Sequence, residues 1–248
     1  MRNILLLFIL SFGVLANAQV LETNSGKSLS DRFFLGLASS FYVDFATTPL
    51  SSTQEYVGKV VIDSVTTADV YEDVPYQTTY ISYFSMGLEP RLNIKEFGDN
   101  MAFAISAPVT LGFGQAFPSN EDVNGSYGFG SIQVPLLAKF YVGTGSTYES
   151  NEDFGLNIGG GIEMNKIGLI NPGSSQEERD ASKAWFMPTV CGGVHFWRGS
   201  TPMEVNVKYG FGALQTYTHD KFGTKLSGNG RQTRANSIKL TLIYLMNY

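Results

Sequence analysis

From residue 32 onward, large apolar side chains stand at every second position over eight separate stretches, and the residues between them are small or polar. That period of two predicts strands, since a strand sends successive side chains to opposite faces. The stretches are 32–46, 76–95, 101–114, 128–142, 154–165, 185–197, 202–214 and 237–248. In the first, Phe33, Leu35, Leu37, Phe41, Val43 and Phe45 oppose Gly36, Ala38, Ser40, Tyr42 and Asp44. In the second, Tyr80, Phe84, Met86, Leu88, Leu92 and Ile94 oppose Thr79, Ser85, Gly87, Glu89 and Arg91. The third sets Met101, Phe103, Ile105 and Leu111 against Ala102, Ala104, Ser106 and Gly112. Only 185–197 carries apolar residues on both faces, which leaves its orientation open. Helical periodicity is nearly absent from the chain beyond its first residues.

The character of the second face decides the surroundings. A soluble antiparallel sheet turns its apolar face to a core and covers the other with Lys, Glu, Asp and Thr. Here the second face is mostly Gly, Ala, Ser and Asn with a few charges, a poor surface for water but a good lining for a narrow, filled interior. The apolar face then points outward, which only lipid tolerates. Spanning needs roughly 9–11 tilted residues per strand, and most stretches reach that. Connections run long (47–75), short (96–100), long (115–127), intermediate (143–153), long (166–184), short (198–201) and long (215–234). Such alternation of external loops and internal turns predicts an all-β, eight-stranded, antiparallel up-and-down transmembrane β-barrel.

Arg2 precedes "ILLLFILSFGVL", an apolar run of export-signal length, and Ala16-Asn17-Ala18 supplies a cleavage pattern. Residues 1–18 are therefore expected to be a signal peptide, 19–31 a short periplasmic segment, and 32–248 the barrel. Removing Arg2 makes the chain one unit more negative than its formal −5, which disfavours a nucleic-acid partner. Cys191, the single cysteine, has no partner for an internal disulfide. Charged residues make up only 16% of the chain, which suits a lipid-facing surface better than a wet one.

The signal peptide, the eight alternating stretches and the ending Ile238, Leu240, Leu242, Tyr244, Met246 and Tyr248 together resemble small bacterial outer-membrane β-barrels of the eight-stranded group. The resemblance implies an integral outer-membrane location, contact with outer-membrane lipids and lipopolysaccharide, and a monomer. It also implies that Leu240, Leu242, Tyr244, Met246 and Tyr248 form the signal read by the outer-membrane assembly machinery. Tyr248 is expected at the inner interface, its ring toward acyl chains and its hydroxyl toward head groups.

The inward charges expected from these registers are Asp44, Glu89, Glu163 and Glu204 against Arg91, Lys139, Lys208 and Lys239. Four acids meeting four bases in an interior only wide enough for side chains predict a plug of ion pairs, with a gated ion path as the sharper alternative. The last external loop carries Lys221, Lys225, Arg231 and Arg234, a basic set suited to lipopolysaccharide phosphates or to the acidic first loop. The first loop holds "EYVGKVVIDSVTTADVY", rich enough in Val, Ile and Tyr to form a hairpin turning at Asp63-Ser64. An exposed hairpin edge makes loop 47–75 the candidate docking site for an external protein, in an adhesion-like role. His195 is expected to be a structural lumen residue, and His219-Asp220 lacks a neighbouring nucleophile motif. Cysteine and histidine spacing predicts no metal site, and no cofactor motif is present. Gly143, Gly145 and the 159–161 glycines are read as aids to curvature and close lumen packing. The function expected is structural or recognitional. A porin-like transporter of small apolar solutes through a gated or lateral path is the alternative, and a rim-located lipid-modifying enzyme or protease using His219 comes third.

Overall fold

The computed structural model describes residues 27–61, 67–118, 128–170, 183–217 and 230–248. Its strands in chain order are β1 (Phe33–Thr47), β2 (Ser51–Val61), β3 (Thr67–Tyr76), β4 (Thr78–Glu96), β5 (Met101–Ser106), β6 (Val109–Pro118), β7 (Phe129–Gly143), β8 (Phe154–Ile170), β9 (Trp185–Arg198), β10 (Thr201–Phe211), β11 (Gln215–Tyr217), β12 (Arg231–Thr233) and β13 (Asn236–Leu245). β5 and β6 are two halves of one spanning strand, broken at Ala107-Pro108, and both lie between β4 and β7. Each neighbouring pair is antiparallel, and β13 returns to β1 with Leu37 opposite Tyr244 and Asp44 opposite Lys239. Eight spanning strands thus close into a ring.

The ring is apolar outside and polar inside. Ile158, Phe186 and Leu136 stand 70%, 69% and 60% exposed, while Lys139, Glu163 and Asn165 are buried. Water would reject that exterior, and hydrocarbon accepts it. The face of 185–197 left open by the sequence is now assigned: Trp185, Met187, Thr189, Cys191 and His195 are buried in the lumen, and Phe186, Val190 and Val194 face out.

The facings of Tyr42, Thr79 and Tyr80 are corrected, Thr79 turning to the outer face between buried Thr78 and Tyr80. Tyr42, expected inside, is 71% exposed, and Tyr80, expected outside, is fully buried. These errors come from bulges. Phe41 faces Phe84 and Asp44 faces Ser82, so two residues of β1 oppose the single Tyr83 of β4. Tyr42 takes the extra place in a left-handed conformation, φ 53°, and β4 is likewise irregular between Ser82 and Phe84 against β6. In β4 the break flips the inside-outside parity, from even-numbered residues inside up to Ser82 to odd-numbered ones from Ser85 on, whereas β1 resumes its parity at Asp44. The trace of a bulge in the sequence is a pair of adjacent outward aromatics, Phe41-Tyr42 and Tyr83-Phe84, whose rings meet across the strands at 4.9 and 6.3 Å.

Loop 48–77 contains the expected hairpin: β2 and β3 pair from Ser51 opposite Tyr76 to Val61 opposite Thr67, as a sheet separate from the barrel. Its expected turn at Asp63-Ser64 lies outside the described residues, as do the 1–18 segment, His219-Asp220, Lys221 and Lys225. The short internal turns are 97–100 and 199–200.

Ring closure also requires β7 and β8 to approach where Gly159 and Gly161 face the lumen. A Cβ on Gly161 would overlap the Leu136 carbonyl oxygen, and one on Gly159 would crowd that of Ala138. The purified protein is expected to migrate faster on a detergent gel unboiled than boiled, because a closed ladder resists detergent. Gly161→Val should lose the fast band.

Candidate functional site in the lumen and at the outer rim

All eight side chains of the expected charge network enter the lumen, where every one is buried. They divide into two storeys. In the outer storey the Lys239 ammonium lies 3.3 Å from the Asp44 carboxylate, and Gln133 donates to the other Asp44 oxygen at 3.0 Å. Lys208 pairs with Glu163, whose second oxygen accepts from Asn165 at 2.7 Å and from Ser237 at 2.9 Å. In the inner storey Lys139 bridges Glu89 at 2.6 Å and Glu204 at 3.4 Å. Asn157 and Asn206 also donate to Glu204. His195 lies 2.7 Å from Asn157 and 3.5 Å from Glu204, the structural lumen position expected for it.

Arg91 differs from the other bases. It has aromatic and backbone partners: its guanidinium stacks 3.8 Å from the Phe34 ring centre and 4.2 Å from that of Tyr141, and it donates to the Gly145 carbonyl at 2.6 Å. Each storey holds two acids and two bases, so each is formally neutral with His195 uncharged. The carboxylate–ammonium pairs offset much of the penalty of burying those charges, and the guanidinium of Arg91 is met by two ring faces and a carbonyl.

Two seals bracket these storeys, and the alternation pattern did not reveal either. At the outer end Tyr80, Trp185, Met187 and Ile167 pack with Ala46, Ala116 and Ala235 into a buried apolar lid. At the inner end the connection 144–153 folds under the barrel, burying Thr144, Ser146, Thr147 and Ser150. Asn93 donates to the Ser146 carbonyl at 2.8 Å, and the Tyr148 hydroxyl donates to the Phe33 carbonyl at 2.6 Å. Gly143 and Gly145 take φ of 78° and 70°, a left-handed geometry that lets this short segment double back. The signal for it was its length, since ten residues rich in Gly, Ser and Thr exceed what an internal turn needs.

Tyr248 belongs to this inner seal, which corrects the expectation of a lipid-facing ring. β13 ends at Leu245, and beyond the exposed Met246 and Asn247 the chain brings Tyr248 under the barrel. The Tyr248 hydroxyl donates to the Thr147 and Ser150 carbonyls at 2.9 and 3.1 Å, and its ring packs on Phe34, Tyr148 and Trp197. Burial pushes the Tyr148 and Tyr248 phenols above their ordinary range, so both remain protonated donors. Ile238, Leu240, Tyr244 and Met246 do face outward as expected, and Leu242 is half-buried on the same side. On the same inner side Lys27 pairs with Glu96 at 2.8 Å and with Glu149 of the plug.

At the outer rim the first and last loops are tied at their bases. The Leu50 amide donates to the Gln215 side chain at 2.7 Å, Thr233 donates to Gln77 at 2.6 Å, and Gln77 donates to the Thr48 carbonyl at 2.9 Å. Arg231 and Arg234 are exposed beside this junction. Within the hairpin Lys59 pairs loosely with Asp69 at 3.8 Å, while Tyr56, Val60 and Val61 are exposed.

No family model matches the chain, and no curated protein matches it. Among solved structures it is similar to the outer-membrane protein OprG of Pseudomonas aeruginosa, at 10% identity and a TM-score of 0.39, over 86% of this chain and 93% of that one. It is also similar to the outer-membrane protease OmpT of Escherichia coli, at 8% identity and a TM-score of 0.34, over 93% of this chain and all of that one. Likenesses this distant carry no assignment, and the architecture rests on the closed ring itself. A closed antiparallel ring with an apolar exterior and a polar interior is the outer-membrane type of barrel, and the chain is an integral outer-membrane protein.

Two outcomes follow from the sealed lumen. Protein reconstituted in a planar bilayer is expected to show no steady open conductance. Lys139→Met, which leaves Glu89 and Glu204 facing each other without their shared cation, should lower stability by about 3–5 kcal/mol. Adding Glu89→Leu should recover part of that loss, read from urea unfolding in liposomes.

Proposed function

We propose that this outer-membrane barrel is a recognition scaffold, a filled barrel whose first external hairpin presents a strand edge to a protein partner. The observation supporting this reading is the contrast between the two ends of the molecule. The lumen is filled by two neutral storeys between two seals, a poor design for conduction. The hairpin stands as its own two-stranded sheet with an outer edge on each strand, and it exposes Tyr56, Val60 and Val61 above a tied base. Unpaired strand edges are ready templates for an added strand, with main-chain hydrogen bonds giving affinity and exposed side chains giving selectivity. In this reading the barrel performs no catalysis and acts as a monomer. Leu240, Leu242, Tyr244, Met246 and Tyr248 then serve assembly, as the segment its machinery reads before the ring closes.

A second reading is favoured by the exposure of Arg231 and Arg234 at the rim. Guanidinium groups at that height match lipopolysaccharide phosphates, which they grip by paired hydrogen bonds. A photoreactive residue at Val60 or Val61, activated in intact cells, separates the two. A discrete adduct with one protein is the expected outcome. Adducts with lipopolysaccharide alone, reduced by Arg231→Glu and Arg234→Glu, would replace the first reading with the second.

A further inference from the structure

Between β5, β6 and β7 the ladder of the barrel wall is interrupted at two prolines. Ser106 faces Leu137 and Thr110 faces Gln133 across β5, β6 and β7, so the constant register puts Pro108 opposite Pro135. The ladder pairs on both sides of this point and not at it. The direction of the backbone there is fixed by a neighbour: the Ala107 amide donates to the Pro90 carbonyl of β4 at 3.1 Å. Adjacent residues of a strand point their N–H and C=O groups to opposite sides, so those of Pro108 point at β7. Two residues facing in this way would exchange two N–H···O bonds. Proline has no N–H to give. The Pro108 and Pro135 carbonyls therefore confront each other within the wall with no ladder donor between them, at a depth where water does not supply one from outside.

Behind the seam lies a cavity of about 30 Å³ whose walls combine both prolines, Leu137, Ile243 and Cys191 with paired side chains of both storeys, among them Glu89, Lys139, Lys208 and Lys239. It separates the two charge storeys, and its volume is that of a water or of the head of a very small molecule. The Lys139 ammonium at its edge is committed to Glu89 and Glu204. On the lipid side of the seam are Ala107 and Leu136, the latter 60% exposed. An aliphatic approach thus leads to two acceptors without donors and then to a mostly apolar hollow.

We infer that the Pro108/Pro135 seam is a lateral port that admits small neutral amphiphiles from the bilayer, their single hydroxyl-type donor bridging the two proline carbonyls. A charged head does not fit this site, because the storeys behind it are already neutral. The port is independent of the external hairpin, so neither proposal depends on the other.

Cys191 reports on the cavity directly. In nanodiscs, which leave both aqueous faces open, neutral methyl methanethiosulfonate is expected to convert Cys191 to its mixed disulfide, read by intact mass. The charged sulfonatoethyl analogue should leave it free. Pro108→Ala with Pro135→Ala restores two ladder donors, and the neutral reagent should then react about tenfold more slowly, since both bonds must break for entry. A disulfide between Ala107→Cys and Leu136→Cys, which face each other on the outer side, should stop the reaction. Hexanol should slow labelling of the wild-type chain, and hexane at the same membrane loading should not. Equal reaction of both reagents, silence of the neutral one, indifference to the alanine pair or to the staple, or equal protection by hexane would each overturn the port.

Discussion

A backbone amide inside hydrocarbon has no solvent to bond with, and the whole molecule is organised by that requirement. A sheet meets it only by having no edge, which is why β13 must return to β1 and why the pairing of Leu37 with Tyr244 matters as much as any core contact. Once the ring is closed, the two faces of every strand are sorted by environment: aliphatic and aromatic groups outward, and whatever fits a narrow bore inward. Eight strands enclose too little space for a channel wider than its side chains. Filling that space is then a packing problem, with the added demand that each buried polar group find a partner.

The sequence solves the filling problem by height. Large apolar groups close the outer end around Tyr80 and Trp185, charged groups occupy the middle, and a backbone segment with the Phe34, Tyr148 and Tyr248 rings closes the inner end. Charges sit where the surroundings let them pair around the full circumference: Asp44 of β1 meets Lys239 of β13, and Glu89 of β4 meets Lys139 of β7. Such pairs are weak evidence of net stability, since desolvation offsets much of their attraction. Their clearer role is to fix register, because slipping β1, β4, β7, β8, β10 or β13 by one residue would turn its charge into the lipid.

Much of this was legible beforehand because a membrane barrel repeats one rule along its length. Alternation alone placed all eight charged lumen residues and the outward faces of β5, β6, β7, β8 and β10. It failed where the rule is locally suspended. The bulge at Tyr42 and Tyr83 reversed the parity of Tyr80, and a strict period of two contains no term for an extra residue. The inner plug was missed for a different reason: apart from Tyr148 its buried side chains are small, and much of its hold on the barrel is through backbone carbonyls, such as those of Gly145 and Ser146, which any residue possesses. Tyr248 followed the alternation in sequence but left the strand in space, since the last ladder position is Leu245. The hairpin was visible because Val, Ile and Tyr in a loop have no other reason to recur.

The tie between the first and last loops has a mechanical side. Through Gln215, Gln77 and Thr233 the base of the hairpin is fastened to the strands that flank the closure of the ring. Traction on the hairpin is therefore shared among β1, β4 and β13 and directed along their axes. Strands loaded lengthwise must break many hydrogen bonds at once, whereas strands peeled from one end lose them singly. A tether attached at this point would put the wall under shear, the loading in which a ladder is strongest.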